Sequence, residues 1–251
     1  MSKLQAPDWK IRLDKSLNSN KGQSHSKFYQ VASVTADGMP KNRTMVFRGF
    51  LANSEKFVSV TDIRSDKIKE WESSSSQKFE ICWYFVESRE QYRISGHVQI
   101  LSSDSVISHI ESADNKQSKS EAASLIREQW NKLSKAAKEQ FYCAEPKAPF
   151  DDELDIQPSE LQDGNLENVH GVSNNEGNAT NCGYTNETSK ESQISKTENN
   201  SRADKALDIS ENFCVVIFIP TSVDYLNLLA EPHYRSISKQ ENNWLESRVN
   251  A

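Results

Sequence analysis

The sequence predicts a mainly β fold with flanking helices, built as a small antiparallel barrel rather than a doubly wound sheet. Two observations carry that prediction. Six short runs rich in Val, Ile, Phe and Tyr lie along the chain, mostly joined by short turns, whereas a doubly wound sheet needs strands alternating with helices. Between the fifth and sixth runs the apolar pattern stops, from residue 151 to 210, so the barrel carries one long insertion.

The elements follow in order. Trp9, Leu13 and Leu17 stand four apart, which gives one face of a short amphipathic helix over 8–18. Strands are predicted at 28–34, 44–50, 57–60, 79–85 and 92–101, punctuated by Asp37-Gly38-Met39-Pro40, Ala52-Asn53-Ser54 and Glu87-Ser88-Arg89. A helix over 66–72 puts Ile68 and Trp71 on one side. A longer helix over 120–142 aligns Leu125, Ile126, Gln129, Trp130, Leu133, Ala137 and Phe141. The sixth strand is 213–219, followed by an apolar stretch from Val223 to Leu229 and a short tail with Trp244.

Charge singles out the insertion. Residues 151–210 hold thirteen Asp/Glu and four Lys/Arg, a net of -9, while all 251 residues sum to -6; the remainder is therefore +3. Tyr184 is the only aromatic there, and Asn, Ser, Glu, Thr and Gly dominate. Such a segment buries too little apolar area to offset an ordering entropy of ~1–2 kcal/mol per residue, so it is expected to be disordered. The organisation predicted is one domain, 1–150 with 211–251, and a disordered insertion at 151–210. A mean hydropathy of -0.74 reflects that insertion.

The same numbers exclude several classes. A remainder near neutrality lacks the basic stripe of a nucleic-acid binder. No apolar run approaches the ~18 residues of a membrane span, and residues 1–10 include Asp8 and no apolar core of a signal peptide. A cytoplasmic location without membrane or nucleic-acid partners is expected. Cys82, Cys143, Cys182 and Cys214 show neither metal-site spacing nor a disulfide framework; Cys82 and Cys214, inside apolar runs, read as small core residues. His25, His97 and His170 are scattered and suggest no metal site.

Polar residues cluster at predicted strand ends in three stretches: 43–49, 61–67 and 89–93. Arg43, Arg64 and Lys67 supply cations, and Thr61 and Ser65 supply hydroxyls, the donor set a phosphate needs. Ser65 also precedes the 66–72 helix, whose first N–H groups favour an anion. The plainer alternative is that these are solvated charges at strand ends.

The stretches Arg43 to Arg48, Thr61-Asp62-x-Arg64-Ser65-x-Lys67 and Gln91-Tyr-Arg-Ile-Ser-Gly96 resemble the pyridoxamine 5'-phosphate oxidase-like FMN-binding proteins, most of all a subfamily first seen in cyanobacteria. The likeness continues through Trp130-Asn-Lys-Leu-Ser134, then His233-Tyr-Arg235 and Trp244, and covers nearly everything outside 151–210. It implies a six-stranded antiparallel split β-barrel, working as a homodimer whose interface forms two FMN sites. Carried over, Arg43 and Lys67 hold the FMN phosphate with Ser65 and Arg64 nearby, Thr61 meets the cofactor, and Gln91 faces the flavin ring. Ser134, Tyr225 and Arg235 come from the partner subunit. Arg43 and Arg48 are five apart and would point to opposite faces of a regular strand, so a twist or bulge is expected near Gly49.

On the substrate side the chain departs from the family. Arg48 and His233 match substrate-contacting positions, but a Tyr and an Arg of the family fall on His109 and Ala113, and a second Arg falls on Glu231. A carboxylate in place of a cation repels an anionic substrate. The resemblance therefore implies an FMN-dependent oxidoreductase acting on a small molecule, with an altered substrate side and no assigned catalytic residue. The alternative is a non-catalytic FMN-binding or storage module.

Overall fold

The structure is a computed structural model, and it describes residues 6–73, 77–102, 116–149 and 207–251. The chain divides into two compact units, Met1–Gln129 with Glu211–Ala251, and Trp130–Ser210.

The first unit opens with α1 (Asp8–Ser19) and a 3-10 turn at Ser24–Lys27. Then come β1 (Phe28–Val34), β2 (Pro40–Val46), β3 (Gly49–Phe50), β4 (Phe57–Asp62), α2 (Asp66–Ser73), β5 (Lys78–Phe85) and β6 (Glu90–Ser102). It ends with β7 (Phe213–Asn227), β8 (Tyr234–Gln240) and β9 (Trp244–Val249). Hydrogen bonding runs in the order β2-β1-β5-β6-β7-β4-β3, with β8 on β7 and β9 on β8, and every pairing is antiparallel. The mostly antiparallel sheet with few helices is the expected split barrel.

The split is visible on β7. One of its edges pairs with β6 along nearly the whole length. The other edge pairs with β4 from Phe213 to Phe218 and then with β8 from Ser222 to Asn227. Where one neighbour gives way to the next stands Pro220, which has no N–H to offer a ladder. Here Thr221 is the extra residue of a bulge between the Ser95–Ser222 and Gly96–Pro220 pairs, and its hydroxyl donates to Ser95 O at 3.3 Å. Gly96 is required by the close approach, because a Cβ there would lie 2.0 Å from the carbonyl oxygen of Ile219.

Alternation builds the core. In β5, Phe79, Ile81, Trp83 and Phe85 point inward, and α1 and α2 add Trp9, Leu13, Ile68 and Trp71. Each such side chain contributes about 1.5–3 kcal/mol by burial. The same period turns Cys82 out of phase, so it is half-buried on the outer face, while Cys214 is fully buried as expected.

Three details differ from expectation. The second predicted strand begins earlier, at Pro40, and is interrupted after Val46; Phe47 N bonds Lys27 O, and Arg48 N bonds Val58 O. The chain thus crosses from β1 to β4 at these residues, with Gly49 at φ +130°, near where a bulge was expected. Strands β8 and β9, which the tail's pattern did not predict, extend the sheet to nine strands among the described residues.

The third difference opens the second unit. The helix predicted over 120–142 is two: α3 (Lys116–Asn131) and α4 (Lys135–Glu139), with a 3-10 turn at Gln140–Tyr142. Ser134 breaks the run by capping α4, its Oγ accepting the Ala137 N–H at 3.3 Å. Trp130 and Phe141 rings pack at 5.8 Å. Trp130 Nε1 donates to Leu207 O at 3.1 Å and Ser210 Oγ to Phe141 O at 3.0 Å, so residues 207 and 210 hold the α3–α4 turn. Cys143 is disulfide-bonded, which cysteine spacing alone does not reveal. Residues 151–206 lie outside the described residues.

Candidate phosphate and flavin site

The end of β4 and the start of α2 are joined by a turn that Asp62 organises. Its carboxylate accepts the Arg64 main-chain N–H at 2.8 Å and grips the Arg64 guanidinium through Nε and Nη2, the latter at 2.6 Å. Its carbonyl accepts the Ser65 N–H and the Ser65 hydroxyl, the latter at 2.7 Å. The turn brings Thr61, Ser65 and Lys67 together. Lys67 Nζ donates to Thr61 Oγ1 and to Ser65 Oγ, both at 2.9 Å. The Ser65 hydroxyl thus serves the lysine, and the Ser65 carbonyl accepts the Ile68 N–H of α2.

Arg43 arrives from β2. It lies opposite Val31, on the core side of the ladder, and reaches α2, where Nη2 donates to Glu70 Oε2 at 2.7 Å. Nη1 donates to the Ser33 hydroxyl, which in turn donates to Glu70. Burial holds Lys67 below the ordinary lysine pKa, and repulsion from Arg43 adds to the effect. The buried Cys214 thiol, bonded to Thr61 O at 3.2 Å, is pushed up to about 12 and stays protonated.

The cluster fits a phosphate. Arg64 and Asp62 cancel, and Arg43 and Lys67 face Glu70, so one positive charge is left over. The Thr61 hydroxyl has no acceptor for its proton among the described residues, and Lys67 has a third N–H to give.

The other expected residues lie elsewhere. On β6, Gln91 is half-buried opposite Tyr84 and Leu226, and its amide has no hydrogen-bond partner among the described residues. Tyr225 is buried near the far end of β7; its hydroxyl donates to Glu90 Oε1 at 2.6 Å, and burial raises its pKa. Arg235 on β8 is gripped by Asp224 through Nε and Nη2, at 2.9 and 2.7 Å. Ser134, in the second unit, caps α4. Arg48 is exposed between β2 and β3 and has no ion-pair partner among the described residues. His233, also exposed, lines an open cavity of about 880 Å³ with Arg248 and Pro232, next to Glu231. Arg48 and His233 share no hydrogen bond, and His109 and Ala113 lie outside the described residues. Glu70, which sequence reasoning missed, sits in the middle of a helix one turn after Lys67 and looks there like half of an ordinary i,i+3 pair.

A barrel split along one strand, with a cation-rich turn between strand and helix, frames this candidate anion site. Residues 6–102 match the family model described as pyridoxamine 5'-phosphate oxidase, FMN-binding domain. Over 93 residues the chain is 41% identical to pyridoxine/pyridoxamine 5'-phosphate oxidase 2 of Arabidopsis thaliana, covering 37% of this chain and 46% of that protein. Over 84 residues it is 39% identical to an uncharacterized protein of Saccharomyces cerevisiae, covering 27% and 28%. The matches thus span less than half the length of these relatives. A pyridoxamine 5'-phosphate oxidase-related, FMN-binding protein of Nostoc punctiforme superposes with a TM-score of 0.67 at 24% identity, over 100% of both chains. PhzG of Burkholderia lata, in complex with tetrahydrophenazine-1-carboxylic acid, gives 0.61 at 13%, over 99% and 98%. At those identities the two structures show the shared fold. Residues 6–102 are thus similar to the FMN-binding domain of the pyridoxamine 5'-phosphate oxidase family, and the fold is shared with an FMN-binding protein.

Proposed function

We propose that this protein is an FMN-dependent oxidoreductase whose Arg43, Thr61, Ser65 and Lys67 hold the FMN phosphate, with Arg64 steadying the turn. The observation that carries this reading is the convergence of Thr61, Ser65 and Lys67 on one ammonium, with Arg43 reaching the same face of α2. Bound FMN supplies two-electron chemistry at its ring. The chain anchors and orients it: Lys67 and Arg43 fix the phosphate, while the free Gln91 amide, beside Leu226 at the other end of β7, offers a donor and an acceptor to the ring of a second copy's flavin.

The protein works as a homodimer in this reading. Along β7, Tyr225 stands eleven residues beyond Cys214, the partner of Thr61, which is roughly 36 Å of strand at about 3.3 Å per residue. Arg235 and Gln91 are at the same far end, so a second copy supplies these three residues, and the family resemblance puts Ser134 with them. Arg48 and His233 contact a small substrate.

Purified protein is expected to carry FMN equimolar with the chain, read from its flavin spectrum. Colourless protein that takes up no FMN in a titration refutes the reading. Pyridoxine 5'-phosphate is expected to be a poor substrate because Glu231 stands where the family resemblance puts an arginine. Turnover of roughly one per second or more would overturn that expectation. Retained flavin with no turnover of any small-molecule donor would favour the storage alternative.

A further inference from the structure

Glu70 is a carboxylate only 7% exposed, one helical turn from Lys67, at a site that this reading assigns to an anion. Placing a negative charge there opposes phosphate binding, so its presence calls for a compensating role. Its contacts supply one. Glu70 Oε2 accepts Arg43 Nη2 at 2.7 Å and the Ser33 hydroxyl, and Ser33, 2% exposed, accepts Arg43 Nη1. Guanidinium, carboxylate and hydroxyl close a ring of hydrogen bonds across β2, α2 and β1. Arg43 Nη1 also leans toward the carbonyls of Val31 and Lys41, at 3.5 and 3.4 Å. The Nε–H takes part in none of these contacts. A guanidinium has five N–H donors, and its side edge, Nε–H with one Nη2–H, matches two phosphate oxygens.

We propose that Glu70 is the positioning residue of the FMN-phosphate site, clamping the far end of Arg43 so that its side edge is presented to the phosphate, and setting the charge that Lys67 feels. The proposal rests on the reading of Arg43 and Lys67 as phosphate ligands. Four groups face Lys67: Arg43 from β2, Asp62 from β4, Cys214 from β7 and Glu70 from its own helix. Asp62 is committed to Arg64, and Cys214 stays a thiol. Glu70 therefore balances Arg43, and without its charge the Lys67 ammonium is easier to deprotonate.

The test is titration of full-length, flavin-stripped protein with FMN and, separately, with riboflavin, from neutral to alkaline pH. Glu70→Ala should bind FMN about tenfold or more weakly, the loss of a charge-assisted bond, while riboflavin affinity stays the same. Glu70→Gln keeps an acceptor for Arg43 and fits the same space. It should recover most of the neutral-pH affinity, yet lose FMN at lower pH than the wild type does. The proposal falls if Glu70→Ala binds FMN like the wild type, or loses FMN and riboflavin alike. It also falls if Glu70→Gln follows the wild-type pH profile. Should wild-type protein bind riboflavin as tightly as FMN, the phosphate-site reading itself fails, and this proposal with it.

Discussion

At the Cys214 end of β7, three cations, Arg43, Arg64 and Lys67, meet two carboxylates, Asp62 and Glu70, and hydroxyl and ammonium protons are left over. At the Tyr225 end the same strand meets as many positive charges, but each is answered. Arg235 is gripped by Asp224, Arg93 bonds Glu80 at 2.9 Å through Nε, and Arg12 pairs with Glu246. Glu90 there takes the Tyr225 hydroxyl and the Ser16 hydroxyl, at 2.6 and 2.8 Å. Counting arginines and lysines would not tell the two ends apart. What separates them is the carboxylate count: the first end has charge to spend on a ligand, the second only the neutral Gln91 amide.

The most severe way to break this comparison is to break the strand between the two ends. Gly96→Ala drives a Cβ into Ile219 O, backbone against backbone, and should cost ~4 kcal/mol or more or abolish folding, read by chemical unfolding. Arg43→Ala should cost roughly 1.5–3 kcal/mol of FMN binding, tenfold or more in affinity. Unchanged affinity would remove Arg43 from the site and erase the contrast.

Lys67 sharpens the comparison through pH. Its pKa is depressed in the ligand-free fold, so the charged form costs stability below that pKa, and the cost is relieved as pH rises toward the ordinary lysine value. A phosphate dianion reverses the preference. FMN binding should therefore take up protons at alkaline pH, measurable by calorimetry in buffers of different ionisation enthalpy, and should weaken as pH rises. Lys67→Met should melt higher than the wild type without ligand at neutral pH and yet bind FMN far more weakly; a lower melting point would contradict the burial argument. The smallest effect is expected from the insertion. Deleting 151–206, with Cys143→Ser to leave no stray thiol and with 207–210 kept for their bonds to Trp130 and Phe141, should leave flavin content intact. Loss of flavin would show that the segment docks.

Much of the barrel was legible because its buried strands carry apolar residues at period two, as Phe79 to Phe85 do. Strand β8 was not, because its inward positions are Ser236 and Ser238, a polar inversion of the usual signal. The first half of β2 was hidden for a related reason: it lies at the edge of the sheet, where Pro40, Lys41 and Asn42 are tolerated. The donors of the proposed phosphate site were legible as donors, since Thr61, Ser65 and Lys67 share one local turn. Glu70 was not, because motif reading looks for what binds a ligand and passes over what restrains the binder.

The long strand β7 also dictates when the molecule can exist at all. Its hydrogen-bonded partners on β4 and β6 are made early in synthesis, and Thr61 and Cys214, now in contact, stand 153 positions apart. Until β7 leaves the ribosome, the edges of β4 and β6 that it will cover have no partner, and they offer themselves to any other extended chain. Closing so distant a pair is the entropically demanding step of assembly, and such non-local pairing slows folding.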